Sequence, residues 1–468
     1  MASSLGAVPP PLRRRFGAKI GAILGRVPNS GVGRGHHRTV WPRKFKATGY
    51  TQPTPDRGGR IEQKMNPGAL AGRKVLEITD ASGAYCGKLL ADMGADVIRI
   101  EPPGGDPTRA LGPFFQDQPG PDRSLFFLYM NTSKRGITLD YTRPAGHALL
   151  LKLVRQADLV VESYPPGFLA RYGLGYPELA AERPGIVLTS ITGFGQTGPH
   201  RDWASTDLVA GAVGGSLYVT GEAEDPPVSL AGHQNHLMAS TTAAASSLIA
   251  LRHAGRTGRG QHVDISIQET TLAVSHISGV GKWLDDGIIP RRVGSGLTAS
   301  VPSGAYLCQN GRVYLMVNRP AHWAALAQWI HEETGNQEVL DPLFEGPSSR
   351  RIEYRELLDL FISELTERHT VQEVFQEGQR RHIAFTPLFS PAEVVRDAHL
   401  AARNFFISVP HAAQETLRMP GAPYHHDATP WAIRRPAPRF GEHNEAVYCG
   451  ELGIRPDALQ DLIDQGVV

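Results

Sequence analysis

Cysteine is scarce in this chain of 468 residues, which contains only Cys86, Cys308 and Cys449. The three lie far apart and none forms a C-x-x-C pair, so the sequence predicts neither a disulfide framework nor a structural zinc site. We therefore expect a reducing, cytoplasmic setting. Because 41% of the residues are hydrophobic and 20% are charged, a disordered or collagen-like protein is excluded, and two or three packed domains are expected.

A long, purely hydrophobic run is also missing. The longest uncharged stretch, residues 226–251, is long enough to cross a bilayer, but polar side chains such as His236 and Ser240 interrupt it. From Gln234 onward this stretch has the pattern of a buried helix of small side chains. We therefore expect no membrane partner.

Acidic residues are absent from residues 1–55, which hold ten Lys and Arg. We expect a disordered basic tail over residues 1–64, because this segment has scattered Gly and Pro and no sustained apolar period. Whether it is a targeting segment or part of the mature protein stays open. The rest of the chain has 38 Lys and Arg against 46 Asp and Glu, a net charge of −8, which gives no indication of a nucleic-acid partner.

From Lys74 onward, short β-branched runs alternate with helical stretches. Strands are predicted over residues 74–79, 96–101, 137–140, 158–162, 186–192 and 262–268, and helices over 84–93, 144–156 and 234–252. Strands that alternate with helices pair in parallel through right-handed crossovers. The sequence therefore predicts an α/β fold with a doubly wound parallel sheet.

A change of pattern after this region indicates a second domain. A glycine-rich linker is followed by a hairpin signal around Asn310-Gly311 and by helices over residues 323–330, 354–365 and 371–380. We predict a large domain with its linker over residues 65–300 and a smaller inserted α+β domain over 301–400. Residues 401–468 then form a segment that returns to the large domain, with a helix at 443–452.

Ligands of open parallel sheets bind beyond the carboxyl ends of the strands, so the loops after the strands are candidate sites. Four loops have unusual content: residues 80–84, 131–136 with Lys134 and Arg135, 163–167 followed by Arg171, and 193–199 with three glycines. Arg171 could bind a phosphate in bidentate fashion or cap the turn at Gly173. The other loops are equally compatible with tight or solvated turns.

Several blocks of sequence resemble the family III CoA-transferases, the group of formyl-CoA transferase and the carnitine and bile-acid CoA-transferases. They are residues 90–101 (LADMGADVIRIE), 134–140 (KRGITLD), 157–162 (ADLVVE), the 193–199 loop, 256–264 (RTGRGQHVD) and Gly441-Glu442-His443. The resemblance extends from about residue 74 to the end of the chain. It implies a Rossmann-like large domain and two chains that interlock as a dimer.

The resemblance also implies a chemistry. Coenzyme A is a substrate in this family, and no cofactor is bound permanently. An aspartate carboxylate attacks the acyl-CoA thioester, which divides one difficult acyl exchange into easier steps. The implied partners are acyl-CoA and a carboxylic acid, with a second copy or a paralogous chain completing a homodimer or heterodimer.

The resemblance carries these roles to particular positions. It implies contacts with CoA for Ala81, Ser82, Leu139, Asp140, Tyr141, Thr142, Ser163, Tyr164, Arg171, Ala204, Ser205 and Thr206. Asp207 stands where the family often has an acidic residue that helps to order the site. No metal site is predicted, because His233 and His236 have no third ligand close in sequence and His425-His426-Asp427 has the pattern of a solvated loop.

One position departs from the family. The nucleophilic aspartate falls on His233, and no Asp or Glu occurs between Asp225 and Asp264. The histidine and aspartate of the related α-methylacyl-CoA racemases fall on Thr206 and His233, so that acid–base pair is absent as well.

Three functions stay open at this point. The chain could be one subunit of a heteromeric CoA-transferase whose partner supplies the aspartate. His233 could itself be catalytic, as acyl acceptor or general base, in transfer, isomerisation or hydrolysis. The chain could also bind acyl-CoA without turning it over. A purely structural interpretation of His233 is a polar cap at the start of the helix.

Overall fold

The computed structural model describes residues 67–276, 279–297, 300–411 and 415–468, so the tail predicted over residues 1–64 lies outside the described residues. The described chain forms two compact units. The larger unit holds the described residues up to 297 together with Leu388–Val468, and the smaller unit holds those from 300 to Pro387.

Six strands of the larger unit form one sheet. They are β1 (Lys74–Ile78), β2 (Asp96–Glu101), β3 (Arg135–Thr138), β4 (Leu159–Glu162), β5 (Val187–Thr192) and β6 (His262–Ser266). All five pairings are parallel, in the order β3-β2-β1-β4-β5-β6. The predicted α/β class with a central parallel sheet is confirmed. The strand order reverses between β1 and β4, which is where ligands of such sheets bind.

Helices connect these strands. They are α1 (Ala84–Asp92), α2 (Leu125–Met130), α3 (Pro144–Val154), α4 (Tyr176–Glu182), α5 (Asp207–Val213), α6 (Gln234–Thr257), α7 (Ile267–Ser275) and α8 (Val280–Asp286). Each face of the sheet packs into its own apolar cluster: Val75 of β1 joins the cluster of α1 and α6, and the next residue, Leu76, joins the cluster of α3. Burial on both faces explains why the strands are nearly continuous apolar runs.

Helix α6 begins at Gln234, as the sequence predicts, but ends at Thr257 instead of Arg252. Its buried face is made of small residues, including Ala239, Ala243 and Ala250, which let the helix lie close to the sheet. The polar members of this face are also bonded: the Ser240 hydroxyl donates to the carbonyl of Ser82 at 2.7 Å. The start of α6 is thereby held beside the loop that follows β1.

The smaller unit has the hairpin that the Asn310-Gly311 signal predicts. Strands β7 (Ser303–Cys308), β8 (Gly311–Met316) and β9 (Ala384–Pro387) form an antiparallel sheet. Helices α9 (Pro320–Thr334), α10 (Arg355–Thr366) and α11 (Val371–Arg380) complete the unit. One apolar cluster, with Trp329 and Phe361 fully buried, forms its core.

The chain then contributes further elements to the larger unit. They are α12 (Pro391–Arg396), α13 (Ala398–Ala402), the hairpin β10 (Phe406–His411) and β11 (Glu415–Pro420), a π-helical turn over Ala446–Glu451, and α14 (Pro456–Asp464). The turn lies within the predicted helix at 443–452, whereas β10, β11 and α14 are not predicted. Asn444 accepts a hydrogen bond from the backbone N–H of Thr138, and Tyr448 donates one to its carbonyl, so this segment covers the end of edge strand β3.

Candidate active site

A cleft of about 400 Å³ opens at the carboxyl ends of the central strands. Its walls come from the loops after β1, β4 and β5 and from the start of α6. Of the side chains predicted to contact CoA, the cleft is lined by Ser82, Ser163, Tyr164, Ala204 and Ser205. The cleft therefore lies at the reversal of strand order, where the topology places a ligand.

Asp80 joins the two loops that meet there. Its Oδ1 atom accepts hydrogen bonds from the Ser82 backbone N–H at 2.8 Å and from the Ser82 and Ser163 hydroxyls at 2.6 and 2.8 Å. The Ser163 hydroxyl in turn accepts from the Asp80 N–H at 2.8 Å. This clamp fixes the relative position of the two loops. The sequence did not identify Asp80 as a site residue, because its role depends on a serine 83 residues away.

Only part of the loop after β3 lies near the cleft. The hydroxyl of Tyr141 is hydrogen-bonded to that of Tyr164, and burial raises the pKa of Tyr141. Leu139, by contrast, is a fully buried core residue. Asp140 accepts from the Thr142 N–H and hydroxyl, so both close a local turn. Among the described residues, Tyr141 is the member of this predicted stretch that bonds to a cleft residue, Tyr164.

Arg171 lies in the short 3₁₀ turn Leu169–Tyr172. The turn ends at Gly173 with φ of +68°, and its backbone provides the capping bonds, so the arginine side chain is not needed there. The guanidinium is exposed and makes no hydrogen bond or ion pair within the described part of the chain. It is therefore available to an anion. Ala81 sits between Asp80 and Ser82 and is partly exposed.

Asp207 is the first residue of α5. Thr206 caps that helix by accepting from the Val209 N–H at 3.3 Å. The Asp207 carboxylate accepts from the His236 backbone N–H and from the Asn235 side-chain amide, each at 3.0 Å. Asp207 thus ties the first turn of α6 to the start of α5.

His233 immediately precedes α6 and follows Gly232, whose φ of +78° suits glycine. Its side chain makes no capping hydrogen bond, so the polar-cap interpretation is not what the structure shows. The ring stacks on that of His236, with centroids 5.8 Å apart, and meets the edge of Phe126 at 5.2 Å. Of the two histidines, it is His236 that lines the cleft.

His236 is the more enclosed of the two rings. Burial lowers the pKa of His236, although the carboxylates of Asp207 and Asp80 act in the opposite direction. One ring nitrogen each from His233 and His236 and a carboxylate oxygen of Asp207 all lie within 4.8 Å of one another. Sequence spacing could not show this cluster, because Asp207 precedes His236 by 29 residues.

Glu162 is a further acidic group close to the cleft. Burial raises the pKa of Glu162 to about 7, although the Ser190 hydroxyl and the Tyr164 backbone N–H bond to its carboxylate. It ends β4 and is almost inaccessible to solvent. In the sequence, the only indication of Glu162 is its place at the end of a predicted strand.

The two cations of the 131–136 loop have structural roles. Lys134 is fully buried and lies 2.7 Å from the Glu77 carboxylate, and burial lowers the pKa of Lys134 to about 8. Arg135 forms ion pairs with Asp96 and Glu451. The loop is therefore neither a solvated turn nor a free pair of charges for a ligand.

Comparison with known proteins assigns the family. The model of CoA-transferase family III matches residues 70–444. The chain belongs to CoA-transferase family III. This confirms the resemblance drawn from the sequence, and the family is one of enzymes.

Individual relatives of this family III chain agree. It is 34% identical over 406 residues to the succinyl-CoA:(R)-benzylsuccinate CoA-transferase subunit BbsE of Thauera aromatica, covering 84% of this chain and 97% of that protein. It is 33% identical over 412 residues to the succinyl-CoA–D-citramalate CoA-transferase of Chloroflexus aurantiacus, covering 87% and 100%.

A solved structure also has a similar fold. The crystal structure of a CaiB/BaiF family protein from Brucella suis matches with a TM-score of 0.72 at 26% identity, over 82% of this chain and all of that one. Among the helices that the structure describes, none combines the length and hydrophobicity needed to span a bilayer.

Proposed function

We propose that this CoA-transferase family III homologue moves CoA between an acyl-CoA thioester and a carboxylic acid, and that CoA binds in the cleft between β1 and β4. One observation carries the proposal: Asp80 and Ser163 clamp together the two loops to which the resemblance assigns CoA contacts, around an open cleft of about 400 Å³. The relatives named above, both CoA-transferases by name, support it.

CoA recognition rests on polar loops and one cation. Ser82, Ser163 and Tyr164 line the cleft, and because the two serine hydroxyls already donate to Asp80, they can offer CoA their remaining lone pairs as acceptors. Arg171, exposed and unengaged by the described residues, can bind a phosphate through two parallel N–H donors. CoA is a substrate here and not a resident cofactor. The three free thiols suit a reducing compartment, and we place the enzyme in the cytoplasm.

Capture of the acyl group requires a nucleophile, and this chain has no aspartate at the position to which the resemblance assigns the family's nucleophile. His233 stands there, and both oxygens of the nearby Asp207 carboxylate already accept hydrogen bonds from the first turn of α6. Hydrogen bonds of this kind stabilise the anion and reduce its reactivity. The chain is therefore one subunit of an interlocked heteromer whose paralogous partner supplies the aspartate. A relative named as a subunit supports this assignment.

A second candidate is direct catalysis by His233. Its ring is not used as a helix cap, and imidazole can accept an acyl group or remove a proton. Because an acyl-imidazole is readily hydrolysed, this chemistry favours an isomerase or hydrolase over transfer between acids. Binding of acyl-CoA without turnover is the remaining alternative.

The test is to mix the purified chain with succinyl-CoA or acetyl-CoA and a panel of carboxylic acids, and to follow new thioesters by mass spectrometry. We expect the wild-type chain alone to be silent and His233→Asp to gain transfer. His253→Asp, on an exposed part of the same helix, is the matched control and stays silent. Transfer by the wild type that is lost in His233→Ala would replace the heteromer proposal with the direct role.

A further inference from the structure

The geometry points to a divalent transition-metal site, of the Zn²⁺ type, formed by Asp207, His233 and His236 at the N-terminus of α6. The observation is the convergence of two ring nitrogens and one carboxylate oxygen within 4.8 Å of one another. The inference does not depend on the proposed transfer reaction, because it concerns binding of an ion by this chain's own side chains.

The donor set is one that Zn²⁺ prefers. Imidazole nitrogen and carboxylate oxygen are its common ligands, and three protein ligands with an open position are the pattern of catalytic zinc sites. The two histidines are three residues apart, and their rings are 11° from parallel. The two rings lie side by side, with centroids 5.8 Å apart, so both can turn toward a common point.

The carboxylate is already oriented by its neighbours. The His236 N–H and the Asn235 amide each donate to one Asp207 oxygen, and the Thr271 hydroxyl bonds to Asn235 at 3.1 Å. Each carboxylate oxygen keeps a second lone pair for an ion. A bonded outer shell of this kind is characteristic of metal sites, because it fixes the ligand before the ion arrives. The negative charge of Asp207 also offsets the unfavourable effect of the α6 N-terminus on a cation.

His236 gives an independent indication of a missing partner. Its Nδ1 atom is shielded from solvent and has no hydrogen-bond partner among the described residues. A buried polar atom without a partner carries a desolvation cost, which a ligand to this ring system, or a turn of the ring, would relieve.

Closing the site requires only small side-chain movements. An ion with bonds of about 2.0–2.1 Å in tetrahedral geometry holds its ligands about 3.3 Å apart. The distances here are up to 4.8 Å, and rotation of the solvent-accessible His233 ring can shorten them. Because His236 lines the cleft, an ion held by this ring would lie beside the cleft, where it could take an anionic oxygen of a substrate.

The experiment uses the full chain without an affinity tag, stripped with EDTA. ZnCl₂ is titrated by calorimetry, and CoCl₂ is followed by its visible absorption, with MgCl₂ as a hard-cation comparison. We expect one Zn²⁺ per chain and no binding of Mg²⁺. His233→Ala, His236→Ala and Asp207→Asn should each weaken Zn²⁺ binding at least about tenfold.

Matched controls separate this site from incidental histidines. The double variants His425→Ala/His426→Ala and His36→Ala/His37→Ala remove adjacent pairs elsewhere and should leave the affinity unchanged. Thermal unfolding checks that each variant folds. If Asp207→Asn does not fold, the Zn²⁺ affinity of His233→Ala, at a solvent-accessible position, decides whether the site exists. Absence of Zn²⁺ binding by the wild type, or equal affinity in His233→Ala, would overturn the inference. Failure here with retained CoA binding leaves the proposed function intact.

Discussion

The Asp207 carboxylate accepts a hydrogen bond from the backbone N–H of His236 at 3.0 Å. The first N–H groups of a helix have no partner within it, and a carboxylate beside them also complements the helix dipole. A residue that begins one helix thereby fixes the start of the next. The position of His233 and His236 relative to the cleft follows from this contact.

Loss of this contact should destabilise the protein. We expect Asp207→Ala to lower the free energy of unfolding by about 1–2 kcal/mol, the usual cost of removing a charged partner from a helix start. Urea denaturation measures it. Asp202→Ala, whose side chain is 76% exposed, is the control and should change little. Equal stabilities of the two variants would show that Asp207 does not hold α6.

Removal of the buried ion pair of Lys134 and Glu77 should lower the free energy of unfolding by more than loss of the Asp207 contact. Both side chains are fully buried, and Arg99 also contacts the Glu77 carboxylate. We expect Lys134→Met to lower the free energy of unfolding by about 3–5 kcal/mol, because a partner is removed from a buried charge. Lys282→Met, which breaks an exposed pair with Asp286, should cost at most about 1 kcal/mol. A loss below 1 kcal/mol at Lys134 would contradict this.

Glu162 should make stability depend on pH. Its pKa is about 7 in the folded protein, against 4.5 ordinarily. Between pH 4.5 and pH 7 the folded state therefore keeps a proton that the unfolded state has lost. The free energy of unfolding therefore falls as the pH rises from 4.5 to 7, by about 3 kcal/mol in all. Glu162→Gln should remove this part of the pH dependence, and Glu178→Gln, at an exposed position, should not. Denaturation curves at pH 5 and pH 8 measure the free energy of unfolding of each variant. If this free energy changes equally with pH in the wild type and in Glu162→Gln, the raised pKa of Glu162 is refuted.

Arg171 should contribute directly to CoA affinity. We expect Arg171→Ala to weaken CoA binding about 10- to 150-fold, because a charge-assisted contact to phosphate contributes about 1.5–3 kcal/mol. The control is Arg312→Ala, an exposed arginine on β8 to which no CoA contact is assigned. Calorimetric titration with CoA measures both variants, and an Arg171→Ala affinity equal to that of wild type would remove this residue from the site.

Much of the larger unit could be predicted from the sequence because its signals are local. Alternating strands and helices indicated a parallel sheet, and the run of small residues from Gln234 indicated α6. Strand β3 was placed two residues too late, at Ile137, since Lys134 and Arg135 have the pattern of a loop. Their charges are neutralised by Glu77 on β1 and Asp96 on β2, which the sequence of one strand alone does not show.

The missed parts of the site depend on contacts between distant residues. Asp80 acquires its role through Ser163, and Asp207 acquires its role through His236. Helix α14 is not among the predicted helices, although Pro456 in its first turn is a recognised start signal. Leu139, to which the resemblance assigns a CoA contact, is a buried core residue, and that contact stays a prediction.

The structure of crystals soaked with CoA would test the proposed CoA site directly. We expect the pantetheine arm between the loops at residues 80–82 and 163–166, which line the cleft, and a phosphate near Arg171. CoA bound elsewhere, or no bound CoA at concentrations that saturate the protein in solution, would contradict it.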